Sequence, residues 1–220
     1  TLYTYDSSGR MTSLTDGEGN TTTWTYDALG PVVTETNELG DSRSYEYNES
    51  SQLIRETDRN GRVTEYEYDA YGRMTEERWL DDLGQTIYTI VFTYDVAGQL
   101  LTVVDGTADY TFTYDNLGRV DTTQVTTSGT TVVFDYEYDA NGQRVQSAAS
   151  IDGVDDRVTD MFFDNLGRLI SVQEEGQEGG NSVEEKRVDL TYDAQARLAE
   201  LVRYADLDAT DEVASTDYFY

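Results

Sequence analysis

The 220-residue sequence contains no cysteine and no histidine, and its single proline is Pro31. Without cysteine there are no disulfides and no thiolate chemistry, so the usual inference from redox state to compartment is silent. With histidine missing as well, the common nucleophile–base pairs of covalent catalysis are unavailable. No apolar run approaches the 18 or so residues a membrane-spanning helix needs. Basic residues are scarce: 15 stand against 44 acidic ones, a formal charge of −29. That balance excludes the clustered lysine and arginine of nucleic-acid binding and disfavours an anionic membrane surface. Acidity of this degree serves solubility, and it also suits a secreted protein, a salty habitat or a chain that binds cations. No signal-peptide pattern opens the chain. It starts on Thr1 rather than Met, which reads as an excised piece of something longer.

What is present points to β-structure. There are 18 Tyr and 18 Gly among abundant Thr and Val, a mixture of strand formers and turn formers. A hydrophobic fraction of 37% is low for a compact core. An elongated array fits better, each unit burying its apolar side against its neighbours.

Self-similarity along the chain decides the architecture. A six-residue segment recurs from Tyr5, Tyr26, Tyr47, Tyr68, Tyr94, Tyr114, Tyr138, Phe163 and Tyr192, as in YDSSGR, YDALGP, YDAYGR, YDNLGR and FDNLGR. The first three intervals are 21 residues each, and later ones range from 20 to 29. The pattern predicts a fixed strand core with a second connection of variable length, the long intervals carrying polar insertions such as 177–181. Before the first seven turns runs an aromatic-x-aromatic triplet (Tyr3/Tyr5, Trp24/Tyr26, Tyr45/Tyr47, Tyr66/Tyr68, Phe92/Tyr94, Phe112/Tyr114 and Tyr136/Tyr138), and the residues between them are Thr or Glu. Residues two apart share one face of a strand, so one face is aromatic and the other polar. Asp at the first position of the turn and Gly at the fourth suit a type I hairpin turn with a bulge and a left-handed residue. An apolar residue (Met11, Val32, Leu53, Met74, Leu100, Val120, Leu169, Leu198) then opens the return strand. Second turns are marked at Asp16–Asn20, Glu38–Asp41, Asp58–Gly61 and Asp105-Gly106.

The expected fold is therefore all-β: tandem antiparallel hairpins forming one array over residues 1–220, about nine repeats with a tenth begun at Tyr218-Phe219-Tyr220. About 18 strands at roughly 4.8 Å make a ribbon on the order of 85 Å wide, which strand twist would coil into a spiralling sheet.

These segments, nine in register, resemble the YD repeats of the Rhs family, which includes bacterial polymorphic toxins, toxin-complex subunits, wall-associated proteins and the teneurins. The resemblance covers the whole chain. It implies a hollow β-shell, secreted or at the cell surface, that encloses or displays another domain, in the toxins a cytotoxic one. Implied partners are a C-terminal cargo domain or neighbouring shell segments. The self-cleavage segment of the toxin cores has no counterpart here. Structural motif residues are Tyr5, Asp6, Gly9 and Arg10; Tyr26, Asp27 and Gly30; Tyr68, Asp69, Gly72 and Arg73; Tyr114, Asp115, Gly118 and Arg119; and Phe163, Asp164, Gly167 and Arg168. Elsewhere the motif departs: Pro31, Gln52, Gln99 and Gln143 replace its Arg, Asn48 its Asp, Ser51 and Ala196 its Gly. Such substitutions suit a scaffold position better than a repeated active site.

No catalytic residue and no cofactor is expected. The 44 acids make chance carboxylate pairs inevitable, and those of the motif have sufficient work as turn acceptors. Asp and Arg at the two ends of a turn read as an ion pair, worth about 0–1 kcal/mol when exposed. Asp206, Asp208 and Asp211 are weak calcium candidates, as are Asp152, Asp155 and Asp156; neither stretch has the spacing of an EF-hand loop. The alternative to a shell is an adhesion module whose aromatic face binds glycans or a protein partner. Packing of Tyr26, Tyr47 and Tyr68 favours the shell, and open rings favour the glycan.

Overall fold

A computed structural model describes residues 1–219. It contains nineteen strands, and every pair with a defined register is antiparallel. The all-β class and the tandem hairpins are as the sequence predicts, with one strand beyond the eighteen counted. Two compact units emerge: Thr1–Thr93 with Val103–Gly106, and Tyr94–Thr102 with the chain from Thr107 on.

The first unit holds β1 (Leu2–Tyr5), β2 (Met11–Thr15), β3 (Thr21–Tyr26), β4 (Val32–Thr36), β5 (Ser42–Tyr47), β6 (Leu53–Thr57), β7 (Val63–Tyr68), β8 (Met74–Leu80) and β9 (Thr86–Tyr94), whose last residue counts with the second. Each strand through β8 pairs with the next in sequence. The second unit holds β10 (Leu100–Val104, its last two residues counting with the first), β11 (Asp109–Tyr114), β12 (Val120–Thr127), β13 (Thr130–Tyr138), β14 (Arg144–Ile151), β15 (Val154–Phe163), β16 (Leu169–Gly176), β17 (Lys186–Tyr192), β18 (Leu198–Tyr204) and β19 (Glu212–Asp217). From β11 to β19 the same meander order holds.

Alternation shows most plainly on β11, where Tyr110, Phe112 and Tyr114 are half-buried between exposed Asp109, Thr111 and Thr113. At eight motif turns the register slips by one residue, for example between Thr4 and Tyr5 in the first hairpin and between Thr113 and Tyr114 in the sixth. The bulge is visible in side chains: Thr4 Oγ1 reaches both Thr12 Oγ1 (2.9 Å) and Ser13 Oγ (2.6 Å), so the two successive residues lean to one side.

Little is deeply buried. Among the described residues the buried apolar side chains are Ala108, Ala149 and Val202, and none of these is fully sealed from solvent. The hydrophobic effect, roughly 25 cal/mol per Å² of apolar surface removed from water, therefore acts on many half-covered side chains rather than on a central core. Cohesion between strands rests on the backbone ladders and on side chains that cross from strand to strand.

Candidate functional site

The motif turn is a closed five-residue box. In Asp69–Arg73, the Asp69 amide donates to the Arg73 carbonyl (2.9 Å) and the Gly72 amide to the Asp69 carbonyl (3.0 Å). One carboxylate oxygen of Asp69 accepts from the amides of Tyr71 (2.8 Å) and Arg73 (3.0 Å), and the other accepts from Arg73 Nε (2.7 Å). Gly72 itself sits at φ +82°, where a Cβ would be strained. The same box closes at Asp6–Arg10, Asp115–Arg119, Asp164–Arg168 and Asp193–Arg197.

These bonds set the ionisation of the turn. Backbone and side-chain donation from Arg10, Arg168 and Arg197 holds Asp6, Asp164 and Asp193 below the usual carboxylate value. At Asp69 and Asp115 partial loss of water pushes the carboxyl up, and the donors from Arg73 and Arg119 outweigh it.

Motif side chains also reach the neighbouring repeat. The hydroxyl of Tyr26 donates to the carbonyl of Met11 (2.5 Å), Tyr47 to Val32 (3.0 Å), and Tyr68 to Leu53 (2.7 Å). Tyr114 donates to Leu100 (2.8 Å), Tyr138 to Val120 (2.7 Å) and Tyr192 to Leu169 (2.8 Å). In every case the acceptor is the apolar residue that follows the previous motif turn. In the opposite direction, the guanidinium of Arg10 lies over the Tyr26 ring (4.6 Å), Arg119 over Tyr138 (4.4 Å) and Arg168 over Tyr192 (4.6 Å). Arg10 Nη1 also donates to the Asp27 carbonyl (3.0 Å).

The glutamines that interrupt the motif carry the same link in another form. Gln52, Gln99 and Gln143 donate from Nε2 to the carbonyls of Gly72 (3.2 Å), Gly118 (3.2 Å) and Gly167 (2.8 Å) of the following repeats. Asn48 with Gln52 is an uncharged copy of the Asp–Arg pair, its Nδ2 donating to Gln52 Oε1 (2.9 Å). Ser51 (φ 60°) and Ala196 (φ 62°) hold the left-handed position without glycine. At Pro31 no such donor exists, and the Asp27 carboxylate turns to the amides of Leu29 (2.8 Å) and Gly30 (2.7 Å). Phe163 has no hydroxyl to donate.

At the opposite ends of the strands the first unit uses the same box. Asp16–Asn20, Asn37–Asp41, Asp58–Arg62 and Asp81–Gln85 close with identical backbone pairs. The turn at Asp81–Gln85 escaped the sequence reading although Asp81-Asp82-Leu83-Gly84 carries its Asp-x-x-Gly signal. Also unread was an ion-pair lattice on the polar face: Arg55 between Glu46 (3.8 Å) and Glu65 (2.5 Å), and Arg78 among Glu65 (3.3 Å), Glu67 (2.7 Å) and Glu76 (3.1 Å). Its signal is charge two residues apart, Glu65 and Glu67 on β7 and Glu76 and Arg78 on β8.

The acidic stretches are turn and loop clamps. Asp206 accepts from the amides of Thr210 (2.9 Å) and Asp211 (3.2 Å) and from the Thr210 hydroxyl, closing the turn into β19. Asp152 closes a two-residue turn with Gly153 and accepts from the Thr131 amide of the adjacent hairpin (2.7 Å). Asp156, 6% exposed, holds the insertion 177–185 through the backbone amide (2.9 Å) and Nδ2 (2.7 Å) of Asn181. Among the described residues no group of three or more Asp, Glu, His or Cys side chains stands together to hold a metal ion.

From Trp24/Tyr26 onward the aromatic triplets are half-buried, with the hydroxyls of Tyr26, Tyr47, Tyr68, Tyr114 and Tyr138 bonded, whereas Tyr3 and Tyr5 of the first repeat stand exposed. Loss of water pushes the Tyr47, Tyr66 and Tyr68 hydroxyls above their usual value. Trp79 differs: 45% exposed, it lies outside the motif triplets.

In sequence, the chain matches the family described as the teneurin YD-shell over residues 1–178 and, in a second overlapping match, 55–212. No curated protein matches it significantly. Among solved structures, a chain of the TcdB2-TccC3-Cdc42 crystal structure aligns over 92% of this chain with TM-score 0.62 at 16% identity. A chain of the Photorhabdus luminescens Tc holotoxin pore with a TccC3 D651A mutation aligns over 99%, TM-score 0.62, at 15% identity. TcdB2-TccC3-TEV aligns over 100%, again at TM-score 0.62 and 15% identity. These likenesses show a shared fold. The chain spans 13–14% of the length of those proteins.

Proposed function

This chain belongs to the teneurin YD-shell family, and we propose on that premise that it is a stretch of shell wall, a non-catalytic scaffold that encloses or displays another domain of the same secreted or surface polypeptide. On this reading residues 1–220 form one array of about nine repeats, part of a longer protein. The observation that carries it is the repeat-to-repeat stitching. Six motif tyrosines give their hydroxyls to the preceding repeat, and the Arg or Gln of the motif reaches the next. Side chains used in this way hold a wall together and leave little of the motif for chemistry. Half-buried motif rings likewise favour the shell over a glycan-binding stripe.

Limited proteolysis tests the enclosure. A domain adjoining the array in the polypeptide that carries it should survive protease at least about tenfold longer in place than when expressed alone. Equal lifetimes reject enclosure.

A further inference from the structure

On the aromatic face of the first unit, at the strand ends away from the motif turns, Trp79 stands against Tyr88 with ring centroids 4.8 Å apart and planes inclined by 40°. Its indole N–H is fixed by Glu77 Oε1 at 2.7 Å. The ring is thus held in one orientation while nearly half its surface stays open, at 45% exposure. Beside it lies a cleft of about 340 Å³, walled by Val63, Leu80 and Ile87. Thr64 and two charged features complete the lining: the Glu56 carboxylate, and the Asp58–Arg62 ion pair closed at 2.7 Å.

Glu56 is the unusual member. It is half-buried, lies opposite Tyr45 on one side and Thr64 on the other, and accepts no hydrogen bond from any described residue. The fold gives it no partner, whereas the turn carboxylates around it are all occupied. The guanidinium of Arg62 is 74% exposed, and Asp58 takes only its Nε, so its terminal N–H groups remain open.

We propose that this cleft binds a neutral sugar, with one pyranose ring stacked on Trp79 by its apolar C–H face and its hydroxyls shared between Glu56 and Arg62. An immobilised indole supplies the flat apolar platform such a ring needs. A cleft of this size with few, fixed polar groups suits a mono- or disaccharide. Sugar hydroxyls donate to a carboxylate and accept from a guanidinium, which satisfies both charged groups at once. Choline is the discriminating competitor, because a cation would pair with Glu56 while the Arg62 charge is already compensated by Asp58. The inference does not rest on the shell reading, since Trp79, Glu56 and Arg62 lie outside the motif.

The test is a titration of the full chain, in a Trp24→Phe background that isolates Trp79 emission, with cellobiose, lactose, maltose and N,N′-diacetylchitobiose. At least one disaccharide should change the emission saturably, with a dissociation constant of about 1 mM or tighter. Trp79→Ala and Glu56→Gln should each weaken it by about tenfold or more, read calorimetrically, while Trp79→Phe retains most of the affinity. If Trp79→Ala does not fold by circular dichroism, Glu56→Gln decides. The proposal is overturned if none of the four binds, if binding survives Glu56→Gln or a folded Trp79→Ala unchanged, or if choline binds in preference to every sugar.

Discussion

The first ninety residues and the rest of the chain are alike at one set of strand ends and unlike at the other. At the motif ends both regions use the Asp box, the bulge, the tyrosine hydroxyl that reaches back and the Arg or Gln that reaches forward. At the opposite ends the first region repeats the same box four times. The second closes β12–β13 with Ser128 (φ 46°) and Gly129 (φ 94°) and β14–β15 with Asp152 (φ 52°) and Gly153 (φ 79°), two-residue turns with positive φ at both positions. It then inserts 177–185, clamped by Asp156. Strands lengthen accordingly, from four to seven residues in β1–β8 to nine in β13 and ten in β15.

The difference locates the constraint. The motif ends carry the same cross-repeat links in one repeat after another, so their geometry must recur, whereas the crossings at the other ends, such as Arg59 to Glu35 and Asp152 to the Thr131 amide, are each made once. The other ends connect one hairpin to the next and tolerate any turn that returns the chain in register, because loop length costs little free energy.

Acid should produce the largest effect, and it should strike both regions together. The motif aspartates have folded pKa values lowered from 3.8, so the stability they contribute is present above that value and lost as pH falls through the folded one. Relief of repulsion among a net −29 acts first, so the melting temperature should rise towards about pH 4–5 and then fall steeply below about pH 4. Circular-dichroism melts from pH 7 to 2 check this; a melting temperature still rising at pH 2 would show that the turns matter less than charge relief.

A second contrast concerns glycine. A Cβ on Gly180 would sit 2.5 Å from the Asp155 carbonyl oxygen and 2.7 Å from Asp156 Cα, whereas one on Gly17 meets nothing within 4 Å. Gly180→Ala should destabilise the second region by about 2 kcal/mol and free the 177–185 amides to exchange. Gly17→Ala should leave the melting temperature unchanged or slightly higher.

Two arginines in matched turns sharpen the comparison of strand ends. Arg119 and Arg62 each bond the Asp four residues back at 2.7 Å from Nε, but only Arg119 also stacks on the next repeat. Arg119→Ala should cost about 1–2 kcal/mol by denaturant melts, and Arg62→Ala close to nothing. Equal costs would place the value of the motif arginine in its own turn.

The smallest expected effect is a pair of opposite signs. Tyr138→Phe should lose about 1 kcal/mol with the bond to Val120. Phe163→Tyr should gain up to about 1 kcal/mol by giving the eighth repeat the hydroxyl its neighbours have.

Much of this was legible in advance because it is local. Asp at the first and Gly at the fourth turn position, and aromatics two apart, are statements about adjacent backbone, and the five-residue box and the face alternation follow from them. The Asp–Arg pair spans four residues and was readable for the same reason. Partners 14 to 24 residues away were not, since nothing in Tyr138 names Val120 as its acceptor or in Gln143 the carbonyl of Gly167. Substitutions that looked like loose motif positions proved to be alternative links, visible only once neighbouring repeats stood side by side. Asp156 reads as a calcium candidate by composition, and the bonds it accepts in the structure come from Asn181, 25 residues on.

By itself the sequence determined the class, the repeat, the turn chemistry and the sidedness of the strands, because turn preference and period-two alternation are properties of a few consecutive residues. Only the tertiary structure decided which repeat each Tyr, Arg and Gln grips and which ends of the strands must be constant. It also left Glu56 without a partner beside Trp79. Those facts depend on strand register, and register is fixed by pairing between segments that the chain brings together only on folding.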